Sequence, residues 1–427
     1  MLRKVAITGM GVVSPLGIGV DNYWNNLKLG YTKAKNLKDI ESSRLFQDIN
    51  NFNANVSIEV ENFSLNDLSR IPSDIKSLDR YIQFAVLAAE LAKNNSNLTN
   101  RSSDFNTERV GVSLSTAICG TKHMEEVFVE VTNNGTEEID PSKGSPNLYL
   151  SSMSNTPSKI IASLIGAEGP CTTLSTGCIG GIDAIGYAYE QILNGDIDVM
   201  IAGASEAPIT PISYGAFDVI NCLSTRNNHN PSKASRPYDR DRDGFVLSEG
   251  AGIIILEDED HAKRRGAKIY GYITGFSNTS NALHMTDLVS DGEDLARAIE
   301  NALSHANLKP VDIDYINGHG SSTPQNDRCE TKAIKKVFGE LAYSIPVSST
   351  KSMTGHPLSA ASALEIIASL KSLEDNTLHP TINYNSKDEE CDLDYIPNVS
   401  RKKELKNILS IASGFSGLHS AIILESF

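Results

Sequence analysis

Three short stretches carry residues able to do chemistry. In "STGCIGGID", Ser175–Asp183, a cysteine, Cys178, has one glycine before it and two after it. Glycines let a backbone come close to a bound molecule. Ile182, Ile185, Tyr189 and Ile192 follow at spacings of three and four, the period of one helical face. Cys178 is therefore expected at a strand-to-helix junction, near a helix N-terminus. Unpaired N–H groups there favour thiolate over thiol and can hold an oxyanion. In "NGHGSSTPQNDRCE", His319 comes directly after an apolar run, framed by glycines and followed by Ser321, Ser322 and Thr323. In "SSTKSMTGHPLSAASALEI", Lys351 and His356 are five apart, and small residues crowd the helix that follows. Singly, each has a plainer reading: a buried structural thiol, a satisfied histidine, a helix cap. Together they supply one nucleophile, two imidazoles and one cation. That set fits acyl transfer with stabilisation of a developing negative charge.

The elements that must position these residues are legible as alternation. Short β-branched runs recur as "KVAITGMGVV", "RVGVSLS", "VMIAGA", "GIIILED", "IYGYITGF", "DYINGHG", "NILSIASG" and "SAIILES". Between them lie helical patterns, clearest in "RYIQFAVLAAELAK" and "LEIIASLKSLED". Strands alternating with helices predict an α/β fold with buried sheets. The polar "NNSNLTNRSSDFNTERV" reads as a surface loop. The long "TRNNHNPSKASRPYDRDRDG" reads as a functional loop. "GMGVVSPLG" begins like a dinucleotide fingerprint, but Ser14 replaces the third glycine, Pro15 follows, and no acidic residue is suitably placed. It reads as a tight turn instead.

Composition narrows the classes further. The chain has 427 residues, 40% hydrophobic and 21% charged, enough for a large double domain. A net charge of −15 argues against a nucleic-acid partner. No apolar run is long enough for a membrane span. The N-terminal segment reads as a first strand rather than a signal peptide. The six cysteines form no CxxC pair, so no metal site is expected, and free thiols in a reducing cytoplasm are.

With these motifs assembled, the sequence resembles the β-ketoacyl-acyl carrier protein synthases, condensing enzymes of the thiolase-like fold. The resemblance runs from "VAITGMGVVSPLG" to "SGFSGLHSAIIL". It rests on "STGC", "SRPYDRDRDGFVLSEGAG", "NGHGSSTPQND", "SSTKSMTGH" and "SGFSG". "STGCIGGIDAIGYAYE", "AGASEAPITPI" and "QNDRCET" are most similar to the ketosynthase α subunit of type II aromatic polyketide synthases.

The resemblance implies a five-layered αβαβα double domain. Its N-terminal half, residues 1–258, would carry the nucleophile; its C-terminal half, 259–427, would carry both histidines and the lysine. It implies decarboxylative Claisen condensation of malonyl-acyl carrier protein with an acyl chain on Cys178. His319 and His356 would drive decarboxylation, beside the family's conserved lysine, Lys351, and its acidic partner, Glu330. Phe415 would be the gate, its N–H forming an oxyanion hole with that of Cys178. Ser321 and Thr323 would bind the pantetheine arm, and Ile118 would lie near the acyl pocket. Arg226, Lys76 and Arg80 would be docking cations for the carrier protein. No cofactor is implied beyond the phosphopantetheine of that carrier, and a heterodimer with a chain-length-factor paralogue is. Ile179 after the nucleophile and Ser416 in "SGFSG" depart from the family pattern. Three alternatives stand beside this. One is a homodimeric fatty acid elongation synthase with the same chemistry. Another, a non-catalytic chain-length subunit, is disfavoured by Cys178. The third, a thiolase, is disfavoured by the two histidines.

Overall fold

The computed structural model describes residues 3–46, 48–65, 73–98 and 105–427. Sixteen elements build the frame. In the first half they are β1 (Val5–Ser14), α1 (Arg80–Ser96), β2 (Val110–Ser115), α2 (Thr156–Ile165), β3 (Cys171–Leu174), α3 (Gly180–Leu193), β4 (Val199–Glu206) and β5 (Gly250–Asp258). In the second half they are β6 (Gly271–Ser280), α4 (Glu293–Ala306), β7 (Tyr315–Asn317), α5 (Pro324–Phe338), β8 (Val347–Ser348), α6 (Ser359–Asp375), β9 (Asn407–Gly414) and β10 (Leu418–Glu425).

The strands run in the order β8-β7-β9-β10-β6-β1-β5-β4-β2-β3. From the β6/β1 seam outward, both halves read the same way. Two antiparallel pairings come first, β1-β5-β4 or β6-β10-β9, and two parallel ones follow, β4-β2-β3 or β9-β7-β8. The seam itself is short, pairing Val5 with Ile273, Ala6 with Tyr272 and Ile7 with Gly271. β1, β4, β5 and β9 are buried along their whole length, as strands covered on both faces must be.

Helices α3 and α6 pack on each other and touch strands of both halves, so they form the middle layer. α1 covers β1 and β5 on one outside, and α4 covers β6 and β10 on the other. This is the thiolase-like αβαβα arrangement. α6 is buried from Ser359 to Leu373, which explains why its sequence is mostly apolar or small on every side, with Glu365 and Lys371 the exceptions. The "GMG" of β1 is explained by packing. A Cβ on Gly9 would strike the carbonyl of Ala92, and one on Gly11 that of Ala88, so the glycines seat α1 on the strand. The expected tight turn comes later, at Pro15–Leu16, because β1 continues to Ser14 and pairs back with Gly17–Ile18.

Of the segment expected as a polar surface loop, residues 99–104 lie outside the described residues, and its first three belong to α1. Among the described residues no helix is long and apolar enough to cross a membrane.

Candidate active site

Cys178 sits on a single 3-10 turn, Gly177–Ile179, between β3 and α3. Gly177 has φ +61 with nothing near its missing Cβ, so glycine is needed there for conformation rather than for space. The two glycines after Cys178 serve close approach. A Cβ on Gly180 would meet Ser115 and Ser359, and one on Gly181 would meet the first turn of α6. The cysteine thus lies where the middle-layer helices cross. It is half-buried and packs in an apolar cluster with Ala117, Ile118, Phe217, Cys222 and Leu358. Ile179 turns away into the main core.

The expected thiolate is not the resting form. Burial pushes the Cys178 thiol up to about 12; Lys351 opposes this and Glu206 adds to it. The backbone N–H groups of Cys178 and Phe415 both hydrogen-bond toward the sulfur. Gly414 brings the Phe415 strand end against the Cys178 turn, its missing Cβ only 3.5 Å from the Cys178 nitrogen.

His319 follows β7 and His356 follows β8, and their rings meet edge to face, with centroids 5.3 Å apart. Both rings are buried, and the Nδ1 of each has no hydrogen-bond partner. Burial holds both imidazoles well below their ordinary range, with the Lys351 charge adding to it, so both are neutral at pH 7. The glycine frame of His319 has a steric cause. A Cβ on Gly318 would strike the Tyr238 hydroxyl and Glu330, and one on Gly320 would strike Ser349. Tyr238 belongs to the long Arg- and Asp-rich loop and stacks on Tyr395 at 3.9 Å. Arg242 of the same loop is buried against Asp327 and Asp388. The loop therefore braces the histidine segment.

The lysine's partner requires a correction. Lys351, 1% exposed, forms an ion pair with Glu365 and donates a 2.6 Å hydrogen bond to the His319 carbonyl. Glu330 does not pair with it. Glu330 instead accepts from the backbone N–H groups of His319 (2.7 Å) and Gly320 (2.8 Å), which fixes the histidine's backbone. Glu365 went unrecognised because nothing in its own helix marks it apart from the charges that follow at Lys371, Glu374 and Asp375, and only the fold brings Lys351 to it.

Phe415 is partly exposed and stands at the mouth, 6.4 Å from the Phe217 ring. A narrow cleft of about 60 Å³ runs past it, lined by His319, Thr323, Asn326, Ser413 and Thr286 among others. Thr323 caps α5 and shares a 2.8 Å hydrogen bond with Ser321, which is buried rather than lining the cleft. Ser416 has a left-handed backbone, φ 67, where the family's usual glycine would be relaxed. Ile118 lies in the Cys178 cluster.

Among the cations expected to dock a carrier protein, Arg226 is exposed, with its backbone N–H held by Asp243. Lys76 is exposed on the 3-10 turn Ser73–Ser77. Arg80 is not available for docking. It is largely buried, pairing with the 1%-exposed Glu249 at 2.8 Å and donating to the Val60 carbonyl. A charge at the first position of a helix looked like a surface charge; here it neutralises an acid in the interior. Among the described residues no cluster of side chains could hold a metal ion.

These features meet others already known. The beta-ketoacyl synthase N-terminal domain family matches residues 2–262, and its C-terminal domain family matches 270–385. The ketoacyl synthase alpha subunit of the tetracenomycin polyketide synthase of Streptomyces glaucescens is 41% identical over 99% of this chain and 97% of its own. A ketosynthase bound to a hexaketide, solved in complex with its type II polyketide synthase acyl carrier protein, superposes with a TM-score of 0.92 at 42% identity, covering 100% of both chains. The ishigamide ketosynthase/chain length factor superposes with a TM-score of 0.90 at 29% identity, again over 100% of both. Two family models across most of the chain, and relatives matched end to end, leave one assignment: the chain is a member of the beta-ketoacyl synthase family.

Proposed function

We propose that the protein is the ketosynthase α subunit of a type II polyketide synthase and that Cys178, His319 and His356 carry its reaction. The observation that carries this is the pair of neutral, buried imidazoles, each with an open Nδ1, with His319 lining the same cleft as Gly414 and Phe415, beside a thiol whose sulfur has two backbone N–H donors. Loading transfers an acyl group from the pantetheine sulfur of a carrier protein to Cys178; the thiol proton passes to the departing pantetheine thiolate. Malonyl-carrier protein then enters. His319 and His356, being neutral, donate N–H bonds to its thioester oxygen while the C–C bond to the carboxylate breaks. CO2 leaves and the electron pair becomes an enolate. The enolate carbon attacks the Cys178 thioester, the N–H groups of Cys178 and Phe415 hold the oxyanion, and collapse expels the Cys178 thiolate. Loss of one such donor costs roughly 2.7–4 kcal/mol. Lys351 holds the His319 backbone and offsets negative charge in the cleft.

Thr323 fits a contact to the pantetheine arm at the cleft mouth. Ser321 supports it through their shared hydrogen bond. Ile118 fits a wall of the acyl pocket. The same reading divides the chain into repeats 1–258 and 259–427. The partners it requires are an acyl carrier protein and a chain-length-factor paralogue, supported by the similarity to a ketosynthase solved with its carrier and to a ketosynthase/chain length factor. Arg226 is the best-placed docking cation and Lys76 a weaker one. Arg226→Glu should slow carrier association and reduce its salt sensitivity; unchanged kinetics at low salt would remove Arg226 from the docking surface.

The test is reconstitution. The chain is incubated with acyl- and malonyl-carrier protein, with and without the candidate paralogue, and adducts and products are read by mass spectrometry. Acylation at Cys178 and polyketide release only with the paralogue are expected. Full activity of a purified homodimer would favour the fatty acid elongation reading instead.

A further inference from the structure

Glu206, the last residue of β4, is fully buried, its charge reaches the Cys178 thiol, and the reaction outlined above does not use it. Its carboxylate accepts hydrogen bonds from the Thr116 hydroxyl (3.1 Å), the Ala117 backbone N–H, the Ser359 hydroxyl (2.7 Å) and, more weakly, the Ile118 N–H (3.4 Å). The first, second and fourth belong to the loop after β2, which presents Ile118 to the Cys178 cluster. The third is the first residue of α6, from the other half of the molecule. Gly180 of α3 fits into the gap between Ser115 and Ser359 beside this junction. One carboxylate thus ties the acyl-pocket loop of the first half to the helix that follows His356 in the second.

Its electrical setting is unusual. Among the described residues no Lys, Arg or His pairs with Glu206. The titratable groups whose fields meet it are Cys178 on the nucleophile turn, Cys119 on the loop after β2, and Tyr81 on α1. A buried carboxylate held by four neutral donors and no cation is costly as a structural device alone.

We propose that Glu206 is a positioning residue for the condensation: it fastens the Thr116–Ile118 wall of the acyl pocket to the start of α6 and adds a negative charge that counters Lys351 at the Cys178 sulfur. The proposal rests on Cys178 being the nucleophile. Two consequences separate it from a purely structural role. The ionised carboxylate opposes thiolate formation and so adds to the burial that holds Cys178 as a thiol. Burial pushes Glu206 itself up to about 7, with its hydrogen bonds opposing, so its charge changes across the neutral range. Thiol reactivity should therefore depend on pH through Glu206 as well as through its own ionisation.

The experiment uses the full chain, alone and with its paralogue, in wild-type, Glu206→Gln and Glu206→Ala forms. Iodoacetamide labelling of Cys178 is followed from pH 6 to 10 by peptide mass spectrometry, and kcat and KM are measured for the acyl-carrier substrate. In Glu206→Gln the acceptor for Ala117, Thr116 and Ser359 remains while the charge is gone. Labelling at pH 8 should rise about threefold, the effect of half a unit in thiol pKa, with KM little changed. In Glu206→Ala the tie is lost as well, and KM should rise about tenfold. A labelling profile for Glu206→Gln that overlays the wild type overturns the field at sulfur. An unchanged KM in a folded Glu206→Ala overturns the tie. If Glu206→Ala fails to fold, the Glu206→Gln profile and its KM decide alone. Failure of the underlying reading looks different: wild-type acylation would map to a cysteine other than Cys178.

Discussion

The two halves of the sheet share strand order and direction, yet their strand ends carry different chemistry. After the inner parallel strand, β2 passes into the apolar Ala117–Ile118, whereas β7 passes into His319 in its glycine frame. After the edge strand, β3 leads to a thiol at the start of α3, whereas β8 leads to Lys351 and His356 ahead of α6. At the next strand end, β4 finishes on the buried carboxylate Glu206, whereas β9 finishes on Ser413–Gly414 and turns out to Phe415. A repeated topology therefore fixes where strand ends converge, but not which groups meet there. Here Cys178 and most of its apolar cluster fall in one half, with Leu358 reaching in from the other. The imidazoles and the cation fall in the other.

If that division is real, the two chemistries can be damaged separately. Cys178→Ala should lower condensation by on the order of 10⁴-fold or more while CO2 release from malonyl-carrier protein persists. His319→Ala and His356→Ala should cut CO2 release by about 10²–10³-fold, with a small thioester still acylating Cys178. Measuring CO2 and product separately decides the matter, and loss of both activities together in each variant would break the comparison.

Stability probes the halves next. Lys351→Met strands Glu365 in the second half, and Arg80→Met strands Glu249 in the first. Removing one member of a buried pair costs about 3–5 kcal/mol, read as a lower urea midpoint. Arg80→Met should spare CO2 release per folded molecule, and Lys351→Met should not.

A smaller effect concerns pH. His319 and His356 are held below their ordinary range, so the folded protein binds no proton at either ring between pH 8 and 6, while the unfolded chain begins to bind them near 6.5. Their ring resonances should stay still over that interval in NMR titration, and CO2 release should not fall through imidazole protonation. Each ring removes stability as pH falls from about 6.5 toward its folded value. A ring that titrates near 6.5 would mean the pair is open to solvent. The smallest expected effect is at Ser416. Glycine there would relieve a left-handed backbone that costs roughly 1–2 kcal/mol, offset in part by glycine's greater freedom when unfolded. A slightly raised Tm and faster acylation of Cys178 are expected.

Much of this was legible in the sequence. The strand and helix patterns predicted the alternation, and three glycine-marked stretches pointed to Cys178, His319 and His356. Local marks worked because each residue stands where its own segment changes direction, and turns leave glycines behind. Paired charges left no such mark. Glu365 is one of three acids in a helix rich in small residues, and Glu206 looks like the polar end of "AGASE". Arg80 opens an amphipathic-looking helix but is matched by Glu249, far along the chain. Their roles come from contacts between distant segments, which neither periodicity nor spacing encodes. The thiol's state was misjudged for a related reason: the helix start was visible, but the surrounding burial was not.

The seam strand has a consequence for how the protein is born. β1 pairs on one side with β5, where Val5 meets Asp258, and on the other with β6, where Val5 meets Ile273. Both partners emerge more than two hundred residues later, which at ribosomal speeds of about 5–20 residues per second means a wait on the order of tens of seconds. Through that wait, the early-made element that β1 packs on most heavily is α1, seated against Gly9 and Gly11. A bulkier residue at either glycine would therefore be felt first on the ribosome, as an uncovered apolar strand prone to aggregation, before any completed molecule had a fold to lose.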